Sequence, residues 1–310
     1  MGIDSMALAE ELRQLRELAR IKWEEDPLPT GREAELRLRK EIKDLELESY
    51  ISDLETDGYA VLPPGKAAPP ELFEEIRLVM EDLYDRTQVD RASDSGLGNT
   101  LYHMLPENQV FEQALMAQAP QALVTYLLGY RAKLSQCTGL IKDSKAPALG
   151  IHADHSFKFP APWSPISNYS VVTWVLTDYT RENGAVCVWP GSHLRGQPVP
   201  FEMTMSHDHP EIRVLEIPKG SVIIWHGSLW HGAVPRTSSG RRMTLVLPHV
   251  RDHVQPQELF WSSVTKEMIE RNAPRFCTLM GLTSAPPWFQ DGPDPTRSMT
   301  MAPFGGSKFE

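Results

Sequence analysis

Cysteine is scarce in this chain. The three thiols among its 310 residues, Cys137, Cys187 and Cys277, are far apart and form no Cys-x-x-Cys pair. That excludes a thiolate zinc finger and predicts a cytoplasmic, reducing setting, with each thiol a small buried hydrophobe. Basic charge is also short: 31 Lys and Arg stand against 41 Asp and Glu, for a net charge of −10. Such a chain is not expected to bind nucleic acid or an anionic membrane nonspecifically. No apolar run is long enough to span a bilayer. Met1-Gly2-Ile3-Asp4-Ser5 leads into acidic sequence, so no secretory signal is expected, and Met6 stands where myristoylation needs Ser or Thr. Internal repeats and low-complexity blocks are missing as well. What remains is ordinary: 41% hydrophobic and 23% charged residues can bury a sizeable core.

The front of the chain reads as helix. Leu8, Leu12, Leu15, Leu18 and Ile21 recur at helical spacing over residues 4–25, with Asp4 or Ser5 as cap. Asp26-Pro27-Leu28-Pro29-Thr30-Gly31 breaks this helix, and a second charged helix runs to about Tyr50. Residues 1–50 are thus an N-terminal helical extension, either a solvated pair over the body or a surface for docking or homodimerisation. Residues 51–310 read as one domain. A short strand over Asp57–Pro63 precedes an amphipathic helix over 69–87, and Asp90–Thr100 reads as a loop or lid. Two short helices fit within 107–129, and another near 257–271. From Leu134 the texture changes to short β-rich runs: Leu134–Ile141, Ala148–His152, Tyr169–Leu176, Ala185–Trp189, Val214–Ile217, Ser221–Trp225 and Met243–His249. Short strands at this rhythm predict a mainly β jelly roll with flanking helices. The Pro-, Gly- and Met-rich tail from Ala285 reads as irregular covering structure.

The chemistry gathers around Ile151-His152-Ala153-Asp154-His155. In an extended strand His152 and Asp154 point to one side while Ala153 turns away, so the pair can grip one ion. His231, in Leu229-Trp230-His231-Gly232, supplies a third ligand from a neighbouring strand. Two histidines and one carboxylate hold non-haem Fe(II) on one face and leave the other open. His226 is the rival for the third position, but it closes an apolar run, whereas Gly232-Ala233 leave room beside His231. Arg242 offers a bidentate grip on a carboxylate. Arg241 is its rival, since adjacent strand residues face opposite ways, and Thr244 shares a face with Arg242. Iron with a carboxylate clamp suggests a 2-oxoglutarate-dependent oxygenase.

Around these residues lie Trp174-Val175-Leu176-Thr177-Asp178, Glu182-Asn183-Gly184-Ala185, Pro190-Gly191-Ser192-His193 and Lys219-Gly220-Ser221. In this order, over roughly residues 50–305, the chain resembles the phytanoyl-CoA dioxygenase family of Fe(II)/2-oxoglutarate oxygenases. The resemblance implies a double-stranded β-helix core, cupin-like, with helices outside it. It implies iron on His152, Asp154 and His231, and the distal carboxylate of 2-oxoglutarate on Arg242. It matches Trp174 to a tryptophan lining the co-substrate pocket, and it places Tyr102 and His103 where another contact is often found. The expected reaction is hydroxylation of an unactivated carbon, with oxygen consumed and succinate and carbon dioxide released. A carboxylate at Asp154 favours hydroxylation over halogenation, which needs a small residue there.

The remaining motifs have plainer readings. Asn183-Gly184 and Pro190-Gly191 are turns, and His193 is a turn residue. His207-Asp208-His209 lies in a polar loop rather than a metal site. Phe157, Phe159 and Trp163 either pack the core or line the pocket, and His155 either touches substrate or caps the strand. Without a Lys/Arg cluster for a CoA phosphate, the expected substrate is a free small molecule with an apolar body. A cupin-type metal enzyme without 2-oxoglutarate and a non-catalytic ligand-binding jelly roll are the alternatives.

Overall fold

The computed structural model describes residues 5–87, 96–143, 145–283, 288–289, 292–293 and 308–309. The expected tail from Ala285 and most of the expected loop over Asp90–Thr100 fall outside them. Helices are α1 (Ser5–Glu25), α2 (Gly31–Asp44), α3 (Glu48–Thr56), α4 (Pro70–Arg86), α5 (Gln109–Leu115), α6 (Gln118–Leu128), α7 (Lys266–Arg271) and α8 (Arg275–Leu279). Helix accounts for 38% of the described residues and strand for 19%. The expectation of a mainly β protein is therefore corrected: the helical coat outweighs the sheets. The single helix expected up to Tyr50 is two, broken where Glu46 takes a left-handed φ of 51°. The helix expected near 257–271 shrinks to a 3-10 turn, Phe260–Ser262, and the short α7.

Apart from a two-stranded ribbon of Trp288–Phe289 and Gly292–Pro293, the strands are β1 (Tyr59–Leu62), β2 (Asn99–Leu101), β3 (Lys133–Leu134), β4 (Thr138–Lys142), β5 (Leu149–His152), β6 (Tyr169–Val175), β7 (Val186–Val188), β8 (Arg213–Val214), β9 (Val222–His226), β10 (His231–Ala233) and β11 (Arg242–Val250). They form two antiparallel sheets. The larger runs β1-β9-β6-β11-β4-β2, with β3 also on β11, and the smaller runs β5-β10-β7-β8.

Alternation along each strand of the large sheet sorts side chains between two buried faces. On the outer face Ile141, Val172, Trp174, Val222, Ile224, Met243, Leu245 and Leu247 join Phe73, Ile76, Phe111 and Leu123 of the covering helices in one core. Ala19 of α1 and Leu47 enter the same core, and Lys22 ties α1 to the Ile269 and Glu270 carbonyls at 2.6 Å. On the inner face Tyr169, Val171, Ile223 and Trp225 meet Val186 and Val188 of the small sheet. The space between the sheets holds the site.

Candidate active site

A cavity of about 590 Å³ opens between the sheets, a size suited to a small ligand. His152, Asp154 and His231 stand together on its wall, with one donor atom from each lying within 4.8 Å of the others. Backbone pairing explains the meeting. β5 and β10 run antiparallel with His231 directly opposite His152, and the two rings are 4.4 Å apart. Nδ1 of His152 hydrogen-bonds with the Gly150 carbonyl at 2.8 Å, and Nδ1 of His231 with the Leu229 carbonyl at 3.0 Å. With those nitrogens engaged, both Nε2 atoms turn toward Asp154, each 3.9 Å from one of its oxygens. Such outer hydrogen bonds fix tautomer and ring direction in metal-binding histidines. Burial pushes the His231 imidazole down to about 4, so at neutral pH no proton competes for its free nitrogen.

Asp154 departs slightly from the expected strand. β5 ends at His152, Ala153 is still extended (φ −119°, ψ 136°), and Asp154 opens a 3-10 turn. The carboxylate nonetheless comes to the same side. Trp225, from the opposite sheet, donates Nε1–H to its Oδ2 at 3.0 Å. This tryptophan had no mark in the sequence beyond its place in an apolar run.

Arg242 lies on the cavity wall and is 4% exposed. Nη2 donates to the Tyr179 hydroxyl at 2.9 Å and to Thr244 Oγ1 at 3.4 Å, and Nη1 donates to the Gly184 carbonyl. The guanidinium carbon lies 4.4 Å over the Tyr179 ring. Gly184 takes a φ of +73°, and a Cβ there would fall 2.9 Å from Arg236 Cβ, so the Asn-Gly turn needs its glycine. Arg241 faces the other way, to Asp85 at 2.8 Å and Glu81 at 3.5 Å, and does not reach the cavity.

The profile of the phytanoyl-CoA dioxygenase family matches residues 54–244, more than half of the chain. The chain belongs to the phytanoyl-CoA dioxygenase family. It is 28% identical over 196 residues to Dioxygenase af480 of Aspergillus fumigatus, covering 61% of each chain. It thus spans about three-fifths of that relative's length. Among solved structures it resembles HygX of Streptomyces hygroscopicus, determined with nickel, 2-oxoglutarate and hygromycin B, at a TM-score of 0.55 and 19% identity, over 67% of this chain and 89% of that one. It also resembles SnoN, a non-haem alpha-ketoglutarate-dependent epimerase from nogalamycin biosynthesis, at a TM-score of 0.53 and 16% identity, over 67% and 84% of the chains. These structural likenesses show a shared fold.

Within this family member the remaining candidates divide. Thr244 lines the cavity beside Arg242, and Tyr102 and Phe157 form part of its rim, 64% and 73% exposed. Trp174 does not reach it. Tyr169, Val171 and Thr173 take the inward positions of β6, and Trp174 points outward against Phe73, with ring centroids 4.8 Å apart. Its expected co-substrate role is corrected on that ground. His103 also faces away, stacked on Phe260 at 5.5 Å. His155 is buried behind Asp154, on Ser228 Oγ at 2.7 Å and edge-on to Phe159 and Trp163. Phe159 packs in the core rather than on the cavity wall. His226 bonds with the Pro165 carbonyl and accepts the Ser228 N–H, and it is no part of the metal group. His207 is tied to backbone carbonyls and His209 leans on Trp189. Tyr179 and Lys142, both on the cavity wall, carry no mark in the sequence.

Proposed function

We propose that this protein is an Fe(II)- and 2-oxoglutarate-dependent dioxygenase that hydroxylates an unactivated carbon of a small, partly apolar molecule, of the natural-product or catabolic kind. The observation that carries this reading is a single cavity lined by a three-ligand group and a buried guanidinium. The donor set suits Fe(II): two imidazole nitrogens and one carboxylate oxygen converge from one side, and the cavity lies on the other. The second half of the site suits a dicarboxylate, since Arg242 keeps a buried Nε without a partner among the described residues.

Bound iron, with oxygen and the keto acid, would supply the oxidising power, and succinate and carbon dioxide would leave. The chain's own residues do the positioning. His152, Asp154 and His231 would hold the metal. Trp225 steadies the carboxylate, and Arg242, braced by Tyr179 and Gly184, would orient the co-substrate and neutralise its far charge. Leu97, Leu140, Leu149, Val171 and Val246 give the cavity an apolar wall that excludes water and would take the substrate's hydrocarbon part. A carboxylate at Asp154, where halogenation needs an open coordination position, favours hydroxylation.

On this reading residues 51–310 are one jelly-roll domain with helical additions, strands β1 to β11 making its double-stranded β-helix, and residues 1–50 are a helical extension. No described helix is long and apolar enough to cross a membrane. The test is anaerobic titration with Fe(II), then 2-oxoglutarate, for the weak visible band of the ternary complex. A substrate panel followed by succinate release and product mass comes next. A metal-binding protein that shows no band and releases no succinate would be a cupin-type enzyme instead. One that binds no iron would be a ligand-binding jelly roll.

A further inference from the structure

The cavity wall carries a second cation that the reading above leaves without a task. β4 turns Thr138, Leu140 and Lys142 inward, and its pairing with β11 sets Lys142 directly opposite Arg242. Side chains so paired start about 5 Å apart at Cβ, and like charges in that position destabilise a sheet. Lys142 is 3% exposed, and its Nζ has no hydrogen-bond partner among the described residues. Arg236, also close, is committed to the Asn183 side chain and to the carbonyls of Asp143, Ser238 and Ser239. Among the described residues the one carboxylate lining the cavity is Asp154, which belongs to the metal group. Room is made for the lysine stem at Gly98, where a Cβ would stand 2.8 Å from Lys142 Cγ.

Two buried cations side by side, with no carboxylate among the described residues paired to either, are a cost to folding. An anion that enters the cavity removes that cost. We propose that Lys142 is a second cationic contact for the distal carboxylate of the keto-acid co-substrate, acting beside Arg242 from the neighbouring strand. This rests on the reading of the cavity as a 2-oxoglutarate site. Burial, then Arg242 and Arg236, press the ammonium down to about 7. A seated carboxylate favours the charged form, so binding above that pH takes up a proton.

The test is calorimetric, on the full chain loaded with Mn(II) under nitrogen. 2-Oxoglutarate is titrated into wild type, Lys142→Met and Lys142→Arg, and 2-oxobutyrate, which lacks the distal carboxylate, is measured by competition. Lys142→Met is expected to lose about tenfold to a hundredfold in 2-oxoglutarate affinity, as for a hydrogen bond to a charged group. It is expected to bind 2-oxobutyrate as wild type does, and Lys142→Arg to recover part of the loss. At a pH above 7, wild type shows a binding enthalpy that varies with the buffer's ionisation enthalpy, and Lys142→Met does not. The metal-free Met variant is expected to melt higher than wild type, which also shows that it folds. Wild-type affinity in Lys142→Met, or an equal loss for both keto acids, overturns the assignment alone. No binding of 2-oxoglutarate to wild type overturns the reading of the site, and this inference with it.

Discussion

Replacing Arg242 by Met separates a 2-oxoglutarate enzyme from other metal-binding jelly rolls. The guanidinium is 4% exposed, lies over the Tyr179 ring at 4.4 Å and is held by the Tyr179 hydroxyl and the Gly184 carbonyl. A carboxylate seated against it meets a group already oriented and already out of water, so the contact is charge-assisted with little ordering left to do. Truncating one partner of a desolvated charge pair costs about 2–5 kcal/mol. At about 1.4 kcal/mol per tenfold, that is a loss of about thirtyfold to several thousandfold in 2-oxoglutarate affinity. Arg242→Lys keeps the charge but not the planar fork, so it is expected to fall between. Arg241 is the internal control. Its ion pairs with Asp85 and Glu81 are partly exposed, and such pairs are worth about 0–1 kcal/mol of stability. Arg241→Met is therefore expected to leave the 2-oxoglutarate requirement near wild type. The assay is succinate release against 2-oxoglutarate concentration, with iron affinity measured alongside and expected to be unchanged. A raised requirement in the Arg241 variant, or none in the Arg242 variant, refutes the argument.

Four further outcomes are expected. His152→Ala and His231→Ala each lose Fe(II) binding while circular dichroism stays native. Asp154→Gly also stops hydroxylation and lets added chloride or azide shift the iron spectrum, and an unchanged rate would remove Asp154 from the ligand set. Trp174→Ala, emptying a site with no solvent exposure against Phe73, costs about 3–5 kcal/mol in denaturant unfolding. Its folded fraction keeps a normal 2-oxoglutarate requirement, and a raised requirement at unchanged stability would return Trp174 to the co-substrate pocket. Burial presses His226 and His249 down to about 3, whereas unfolded histidine titrates near 6.5. Between those values the unfolded chain binds more protons, so stability rises with pH. It is fully present above about pH 6.5 and falls toward pH 3, by up to about 1.4 kcal/mol per pH unit for each histidine. Urea unfolding of the metal-free protein from about pH 7 to about pH 5 measures this, and a flat profile would show that these rings are not buried neutral.

How far the site was legible depended on whether a strand's two faces differ. At the start of β11 the charged Arg241 and Arg242 stand side by side, so period-two alternation alone separates an inner from an outer guanidinium and puts Thr244 with the inner one. In β6 every residue is apolar or small and all are buried, because helices cover one face and the second sheet covers the other. Such a strand has no polar side to give its register, and a shift of one residue exchanges its faces. Trp174 was set in the pocket by resemblance alone, with no alternation to check it, and Thr173 takes the cavity position instead. Lys142 was invisible for another reason. A lysine at a strand end ordinarily reaches solvent, and this one is enclosed by strands and loops remote in sequence. The triad needed only a local pair plus a histidine with small neighbours, and both are marks the sequence carries. The expected helices account for most of those found, α5 and α6 included; α8, at five residues, is too short to carry a periodic signal, and the mainly β label followed the sheets rather than their coat.

The two turn motifs that looked merely structural join the halves of the site. Asn183-Gly184 leads into β7 and holds its Gly184 carbonyl against Arg242, while Asn183 Oδ1 accepts from Arg236 at 3.0 Å. Pro190-Gly191-Ser192-His193 follows β7, and its Ser192 hydroxyl accepts the Trp230 N–H at 2.8 Å, one residue before His231. One short strand of the small sheet is thus bounded by a turn that braces the cationic end of the cavity and a turn that braces the metal end. The ligands themselves come from opposite sheets: His152 and His231 lie on paired strands of the small sheet, Arg242 and Lys142 on paired strands of the large one. Changes at the two ends share no direct hydrogen-bond partner, so their effects on metal and keto-acid binding should be separable in the way distant sites are. Trp225 is the exception. It belongs to the large sheet yet donates to Asp154, which makes it the contact through which a shift of one sheet against the other would be felt at the metal.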